Sequence, residues 1–242
     1  MNLKKNTELV FQQIADASQK ANRNLDAVSV IAVTKYVDVQ TAEALLPLGI
    51  HHIGENRVDK FLEKYQALKD YPVTWHLIGT LQRRKVKEVI PYVDYFHALD
   101  SLKLAQEIQK RTDHVIKCFL QVNISGEESK HGFSKEELLE LLPELAKLDQ
   151  IEYVGLMTMA PFEADSDELK EILPYSFEIH GKFHYLDENN VEASIPYDDI
   201  LAVIAESDFD GYIIGEYEDE LYCGGTEFTK RQIKMLKRIL NN

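Results

Sequence analysis

The stretch Ser29-Val30-Ile31-Ala32-Val33-Thr34-Lys35 has the composition of a buried strand that ends on a lysine. It is short, rich in β-branched residues and uncharged until its last position, as buried strands of parallel sheets are. In parallel α/β barrels the carboxyl ends of the strands carry the chemistry. Burial favours the neutral amine of a lysine, which can then attack a carbonyl group to form a Schiff base. The alternative is a lysine that only extends to water where its strand ends.

Predicted strands and helices alternate about eight times along the chain. A helix near residues 7–21 comes first, and the strands lie near residues 29–35, 50–54, 73–79, 95–99, 115–124, 153–159, 177–186 and 211–216. This alternation over 242 residues predicts an α/β fold, a (β/α)8 TIM barrel with an extra N-terminal helix, in a single domain of residues 1–242. An open doubly wound sheet is the alternative, but no Gly-x-Gly-x-x-Gly motif follows the first strand.

The net charge of −14 is concentrated in one segment. Residues 163–220 contain 18 acidic and 2 basic side chains, against 23 acidic and 25 basic side chains in the rest of the chain. In the same region, only residues 166–172 remain for a helix between the sixth strand and Leu173-Pro174, which is about two turns. Both features indicate that the C-terminal segment differs in origin from the residues before it.

The composition also limits the partners and the setting of the protein. The strongly negative charge argues against general nucleic-acid binding. The N-terminus is polar and no apolar run is long enough to cross a bilayer, so we expect neither a signal peptide nor a membrane span. The two cysteines, Cys118 and Cys223, cannot form a disulfide framework, which favours the reducing cytoplasm. We expect a monomer whose partner is at most a small molecule.

Up to about residue 169, the chain resembles the pyridoxal phosphate homeostasis family, whose single-domain barrels are related to the N-terminal domain of alanine racemases. The matching stretches, in order, are Ile31-Ala32-Val33-Thr34-Lys35, Ile53-Gly54-Glu55-Asn56-Arg57, Trp75-His76-Leu77-Ile78-Gly79-Thr80-Leu81-Gln82, Gln121-Val122-Asn123-Ile124-Ser125-Gly126-Glu127-Glu128-Ser129-Lys130-His131-Gly132-Phe133 and Gly155-Leu156-Met157-Thr158-Met159-Ala160-Pro161. The resemblance implies that Lys35 holds pyridoxal 5'-phosphate as an internal aldimine, with Asn56 and His76 at or near the cofactor. It implies no catalytic reaction, because none is established for that family.

The C-terminal part departs from this family. The family's Ser-Met-Gly-Met-Ser and Arg-Ile-Gly strands are absent, and residues 170–242 resemble the last two βα units of xylose-isomerase-like sugar-phosphate isomerases and epimerases. The resemblance is carried by stretches such as Ile179-His180-Gly181-Lys182-Phe183 and Gly211-Tyr212-Ile213-Ile214-Gly215-Glu216-Tyr217. His180 and Glu216 match two of the four metal ligands usual in those enzymes. Since two ligands do not make a metal site, we expect no bound metal.

These observations predict an engineered chimera of the two barrel families, joined near residues 165–174, with strands one to six from residues 1–169 and strands seven and eight from 170–242. We expect a scaffold without catalytic activity and with a residual, weakened pyridoxal phosphate site at Lys35. The loops after strands seven and eight commonly bind phosphate in such barrels, and here they carry carboxylates. One alternative is a functional pyridoxal phosphate homeostasis protein with a Schiff base on Lys35. The other is a divalent-metal-dependent sugar-phosphate isomerase or epimerase.

Overall fold

A computed structural model describes residues 3–20, 23–24, 28–123, 131–158, 178–183, 197–207 and 212–217. The chain forms two compact units, the first made of residues 1–123 and 128–158 and the second of residues 124–127 and 159–242. The predicted junction at residues 165–174, the short helix at 166–172 and the carboxylate-bearing loops lie outside the described residues. The predicted single domain and its division at residue 169 stay predictions.

The first unit contains a six-stranded, all-parallel sheet. Each strand pairs with the next along the chain, in the order β1 to β6, as the first six strands of a TIM barrel do. The strands are β1 (Ile31–Val33), β2 (His52–Glu55), β3 (Thr74–Leu77), β4 (Tyr95–Leu99), β5 (Ile116–Gln121) and β6 (Ile151–Met157). The helices are α1 (Leu3–Lys20), α2 (Val39–Glu43), α3 (Val58–Leu68), α4 (Val86–Val89), α5 (Leu102–Arg111) and α6 (Lys135–Leu145).

The second unit contains two parallel strands, β7 (Glu178–Phe183) and β8 (Tyr212–Tyr217), and the helix α7 (Tyr197–Glu206) between them in sequence. The register pairs Glu178 with Tyr212 and Phe183 with Tyr217. A parallel pair needs a crossover connection, and the strand-helix-strand order of these elements supplies one. The unit therefore has the βαβ organisation predicted for residues 177–216.

The helical segment after β1 changes type before Pro47. It is α-helical to Glu43 and continues as a 3-10 turn, Leu46–Leu48, which contains Pro47. Proline lacks the amide hydrogen that the α-helical bond needs, so the tighter turn replaces the last α-helical turn. The segment ends at Gly49, whose φ of 87° gives the left-handed C-cap for which glycine is favoured.

The two faces of the six-stranded sheet differ in polarity. Alternate strand residues on one face, among them Ile53, Trp75, Phe96 and Cys118, are fully or almost fully buried in the hydrophobic core beneath the helices. Since successive strand residues point to opposite faces, the residues between them lie on the other face. That second face carries His52, His76, Tyr95, His97 and Lys117, which contact one another through their side chains.

Candidate functional site

Lys35 lies at the carboxyl end of β1, where the sequence predicts it. The pairing of β1 with β2 extends one residue past the strand, because the Thr34 amide donates to the Gly54 carbonyl over 3.0 Å. Lys35 and Tyr36 then form the centre of a turn, which the Val37 amide closes by donating to the Thr34 carbonyl over 3.1 Å. The Lys35 side chain is half-buried, with Nζ 5.1 Å from the centroid of the Tyr36 ring.

The register brings the three predicted cofactor residues to one edge of the sheet. Val33 pairs with Gly54, and Gly54 pairs with His76, so these residues form one row across β1, β2 and β3. Lys35 and Asn56 each follow that row by two residues. The loops that carry them therefore leave the sheet next to each other, at the end where parallel barrels bind their ligands.

Asn56 is held in place by close backbone packing. A Cβ atom added at Gly79, just after β3, would lie 2.1 Å from the Asn56 carbonyl oxygen, so only glycine allows this approach. The adjacent Ile78 amide donates to the Glu55 carbonyl over 2.9 Å, which joins the two loops a second time. Gly79 belongs to the same motif as His76, and its small size brings the ends of β2 and β3 into contact.

His76 is the centre of a chain of three imidazoles. His52 Nδ1 lies 2.9 Å from His76 Nε2, and His76 Nδ1 lies 2.9 Å from His97 Nε2. The ring of Tyr95 stacks on His76 with centroids 4.6 Å apart, and Lys117 Nζ donates to the Tyr95 hydroxyl over 3.2 Å. The polar face of the sheet is thus a continuous hydrogen-bonded and stacked array.

Burial controls the protonation of this array. It lowers the pKa of His76 from 6.5 to about 3, with further lowering from the charges of His97 and His52. Burial also lowers the pKa of His52. A neutral imidazole has one donor and one acceptor nitrogen, so His76 donates to one neighbour and accepts from the other. The chain of hydrogen bonds therefore has a direction, and reversing it requires all three rings to change tautomer.

A buried ion pair lies behind the Lys35 turn. Lys64 Nζ, from α3, contacts Glu55 Oε1 at 2.5 Å and donates to the Thr34 carbonyl over 2.8 Å. The Thr34 hydroxyl donates to the same Glu55 oxygen over 2.5 Å. The Glu55 and Lys64 side chains are 0% and 2% exposed.

Sequence reasoning missed this pair, although Lys64 gives a detectable signal. It falls within the apolar stripe of α3, whose other buried residues are Val58, Phe61 and Leu68. A lysine at such a position requires a buried partner, and Glu55 at the end of a buried strand is a candidate for that partner. The partners of His76 in β2 and β4 were missed as well, because strand register cannot be obtained from one sequence.

Other polar residues have structural roles or stay untested. Gln121 is buried and donates from Nε2 to the His131 carbonyl over 3.0 Å. His180 and Glu216 lie in β7 and β8, where the register pairs Glu216 with Lys182. Among the described residues, no three His, Cys, Asp or Glu side chains are grouped so that they could hold a metal ion. Of the helices in the described ranges, none has the length and apolar character needed to cross a membrane.

Comparison with known proteins gives matches of family, sequence and fold. Residues 10–177 match the family model of the alanine racemase N-terminal domain. The pyridoxal phosphate homeostasis protein of Aquifex aeolicus is 35% identical over 173 residues, which are 70% of this chain and 76% of that protein. The protein of the same name from Pasteurella multocida is 32% identical over 200 residues, which are 81% of this chain and 84% of that protein.

Solved structures show the same fold. PipY of Synechococcus elongatus, solved with pyridoxal phosphate bound, superposes with a TM-score of 0.58 at 25% identity, over 84% of this chain and 97% of PipY. An alanine racemase of Clostridium difficile gives a TM-score of 0.53 at 14% identity, over 96% of this chain and 60% of the racemase, which is a likeness of fold alone. The predicted α/β class and TIM-barrel type of the fold are confirmed.

Proposed function

Since this chain belongs to the alanine racemase N-terminal domain family, we propose that it is a pyridoxal phosphate homeostasis protein that holds the cofactor as a Schiff base on Lys35. The observation that carries the proposal is the register of β1, β2 and β3, in which Lys35, Asn56 and His76 share one edge of the sheet. Homologues that match most of this chain bear the name pyridoxal phosphate homeostasis protein, and PipY binds the cofactor.

The residues at this edge fit a pyridoxal phosphate ring. Lys35 is half-buried on a tight turn and presents a primary amine at the carboxyl end of its strand. The cofactor would supply an aldehyde for that amine. Asn56 offers amide donors from a loop fixed by Gly79. His76, whose two ring nitrogens are bonded to His52 and His97, contributes a neutral, buried ring beside them. These groups bind and orient a planar polar ligand, and the function proposed for them is binding of the cofactor without a catalytic reaction.

The engineered chimera with a weakened site is less well supported than this reading. Its predicted junction lies near residues 165–174, but a match to 81% of the chain, as with the Pasteurella multocida relative, is too long to end before residue 174. The family model itself extends to residue 177. What still supports a separate origin of the C-terminal segment is its concentrated negative charge. The weakened affinity, the monomeric state and the cytoplasmic setting remain parts of the proposal, and the metal-dependent isomerase is not proposed.

The proposal is tested by covalent capture of the cofactor. The protein is mixed with pyridoxal phosphate, freed of excess ligand, and examined for an absorption band at about 420 nm before and after borohydride reduction. We expect about one cofactor per chain, fixed by reduction to the peptide that contains Lys35. Lys35→Ala should remove the band, whereas Lys60→Ala, which changes an exposed lysine of α3, should keep it.

Two results would overturn the proposal. One is a Lys35→Ala protein that retains the full band and label. The other is wild-type protein in which borohydride fixes the cofactor to many lysines without preference for Lys35, because that pattern is the reaction of a reactive aldehyde with surface amines.

A further inference from the structure

We propose that the buried Glu55–Lys64 ion pair is a positioning device for Lys35. The pair fixes the Thr34–Lys35 peptide and thereby sets the direction in which the Lys35 side chain leaves the sheet. This inference rests on the proposed function, because it gives the pair a role in presenting the amine that receives the cofactor. Neither residue is placed in contact with the cofactor, so both are positioning residues.

Thr34 is the point through which the pair acts. Its amide donates to Gly54, its hydroxyl donates to Glu55 Oε1, and its carbonyl accepts from both Lys64 Nζ and the Val37 amide. Every polar group of Thr34 is therefore bonded, and two of these bonds involve the ion pair. The Val37 bond closes the turn that has Lys35 at its centre. Lys64 thus holds the same carbonyl oxygen on which the turn is built.

A contribution to the stability of the fold does not explain why a buried ion pair is present here. Both side chains are removed from water, and desolvation of two ions costs as much as, or more than, their mutual attraction returns. The pair is also incompletely bonded, since Glu55 Oε2 has no hydrogen-bond partner among the described residues. Well-packed apolar residues of similar volume are often equally stable at such positions. What apolar residues cannot supply is a directional bond to the Thr34 carbonyl.

One variant can therefore distinguish a role of the pair in stability from a role in positioning Lys35. The double change Glu55→Leu/Lys64→Met removes both charges together, so no uncompensated ion stays buried. We expect its melting temperature to stay within a few degrees of wild type. Its affinity for pyridoxal phosphate should fall roughly tenfold, and the band at about 420 nm should develop more slowly, because the amine is no longer held in the productive direction.

Four further variants give the controls. Lys60→Met removes an exposed lysine from the same helix and should change neither quantity. Phe61→Leu creates a small cavity in the core about one helical turn before Lys64 on α3, so it should lower the melting temperature while leaving cofactor affinity within about twofold of wild type. Thr34→Ser keeps the hydroxyl donor and should bind the cofactor like wild type. Thr34→Val loses the hydroxyl bond to Glu55 but keeps the bond from Lys64 to the carbonyl, so it should weaken binding less than the double variant does.

The outcomes distinguish this inference from the proposed function. If wild-type protein takes up no pyridoxal phosphate on Lys35, the proposed function is wrong and the inference is wrong with it. If wild type binds and the folded double variant binds equally well, only the inference is wrong. If the double variant loses affinity only in proportion to its loss of melting temperature, as Phe61→Leu would, the pair is structural and the inference is again wrong.

Discussion

The imidazole of His76 is 2% exposed and lies between two other imidazoles. Its pKa of about 3 keeps it neutral at every pH at which the protein is expected to work. A neutral ring keeps its two hydrogen bonds without bringing a positive charge into the array. Burial of this one residue therefore sets the protonation state of the ring at the site. The motif Trp-His-Leu-Ile-Gly indicates that burial only in part.

The lowered pKa of His76 makes the stability of the fold dependent on pH. In the unfolded chain His76 has its ordinary pKa of 6.5, so the unfolded state binds a proton that the folded state does not between pH 6.5 and 3. Stability therefore falls as pH falls through that range. The loss from His76 is about 2 kcal/mol between pH 7 and 5, since each pH unit below 6.5 costs about 1.4 kcal/mol.

Urea unfolding of wild type and His76→Gln at pH 7 and 5 measures this contribution. Between pH 7 and 5, the variant should lose about 2 kcal/mol less stability than wild type, which is the contribution of His76. The variant should still lose some stability on acidification, because burial also lowers the pKa of His52. His51→Gln removes an exposed neighbour whose charge lowers the pKa of His52 less than burial does, so it should keep nearly all of the wild-type dependence. Equal pH dependence in wild type and His76→Gln would show that the ring is not held neutral.

At the scale of elements, a serine caps the N-terminus of α6. Ser134 precedes the helix in extended backbone geometry, and its hydroxyl accepts from the Glu137 amide over 3.0 Å. Ser134→Ala removes that cap, so we expect unfolding free energy to fall by about 1 kcal/mol. Ser134→Asp retains an acceptor and adds a favourable charge at the helix N-terminus, so it should match wild type. A urea midpoint for Ser134→Ala equal to that of Ser134→Asp would refute the cap's contribution.

The sequence predicts the helices and strands better than it predicts the contacts between them. Alternating apolar strands and the cap at Ser134 are local patterns, and each predicted element with described residues is present. The α-helical bonding of α2 stops early because Pro47 lies in the 3-10 turn Leu46–Leu48 that follows it. The helix α4 is short because the residues before it, Arg83–Lys85, form a 3-10 turn instead. The Glu55–Lys64 pair joins a strand end to the inner face of a helix. Its existence depends on how β2 and α3 pack, which periodicity does not contain.

For the candidate site, too, the sequence predicts the residues but not the contacts between them. Lys35 follows from the strand pattern, and the resemblance supplies Asn56 and His76 as cofactor positions. The alignment of Val33, Gly54 and His76 in one row depends on the register of three strands. The hydrogen bonds that join His76 to its neighbours His52 and His97 depend on that register and on which ring nitrogens meet. These are tertiary facts, and no property of a single stretch of sequence fixes them.

At the scale of the whole molecule, charge opposes the proposed ligand. The chain has a net charge of −14, and pyridoxal phosphate carries a phosphate dianion. The positive balance of the residues outside 163–220 is too small to offset the acidic segment. Such a field repels an anion over distances set by the ionic strength, with a screening length of about 30 Å at 10 mM salt and about 8 Å at 150 mM.

The sign of the salt dependence therefore shows which charges control binding. We expect the affinity for pyridoxal phosphate to rise about threefold between 10 and 150 mM salt, because screening weakens the repulsion between the acidic molecule and the dianion. Equilibrium titration at the absorption band measures it, and pyridoxal, which lacks the phosphate, should respond little. A local group of cations around the phosphate would give the opposite sign, since salt would then screen an attraction. A fall in affinity with salt would therefore contradict the weakened site and indicate a cationic phosphate site that outweighs the charge of the whole chain.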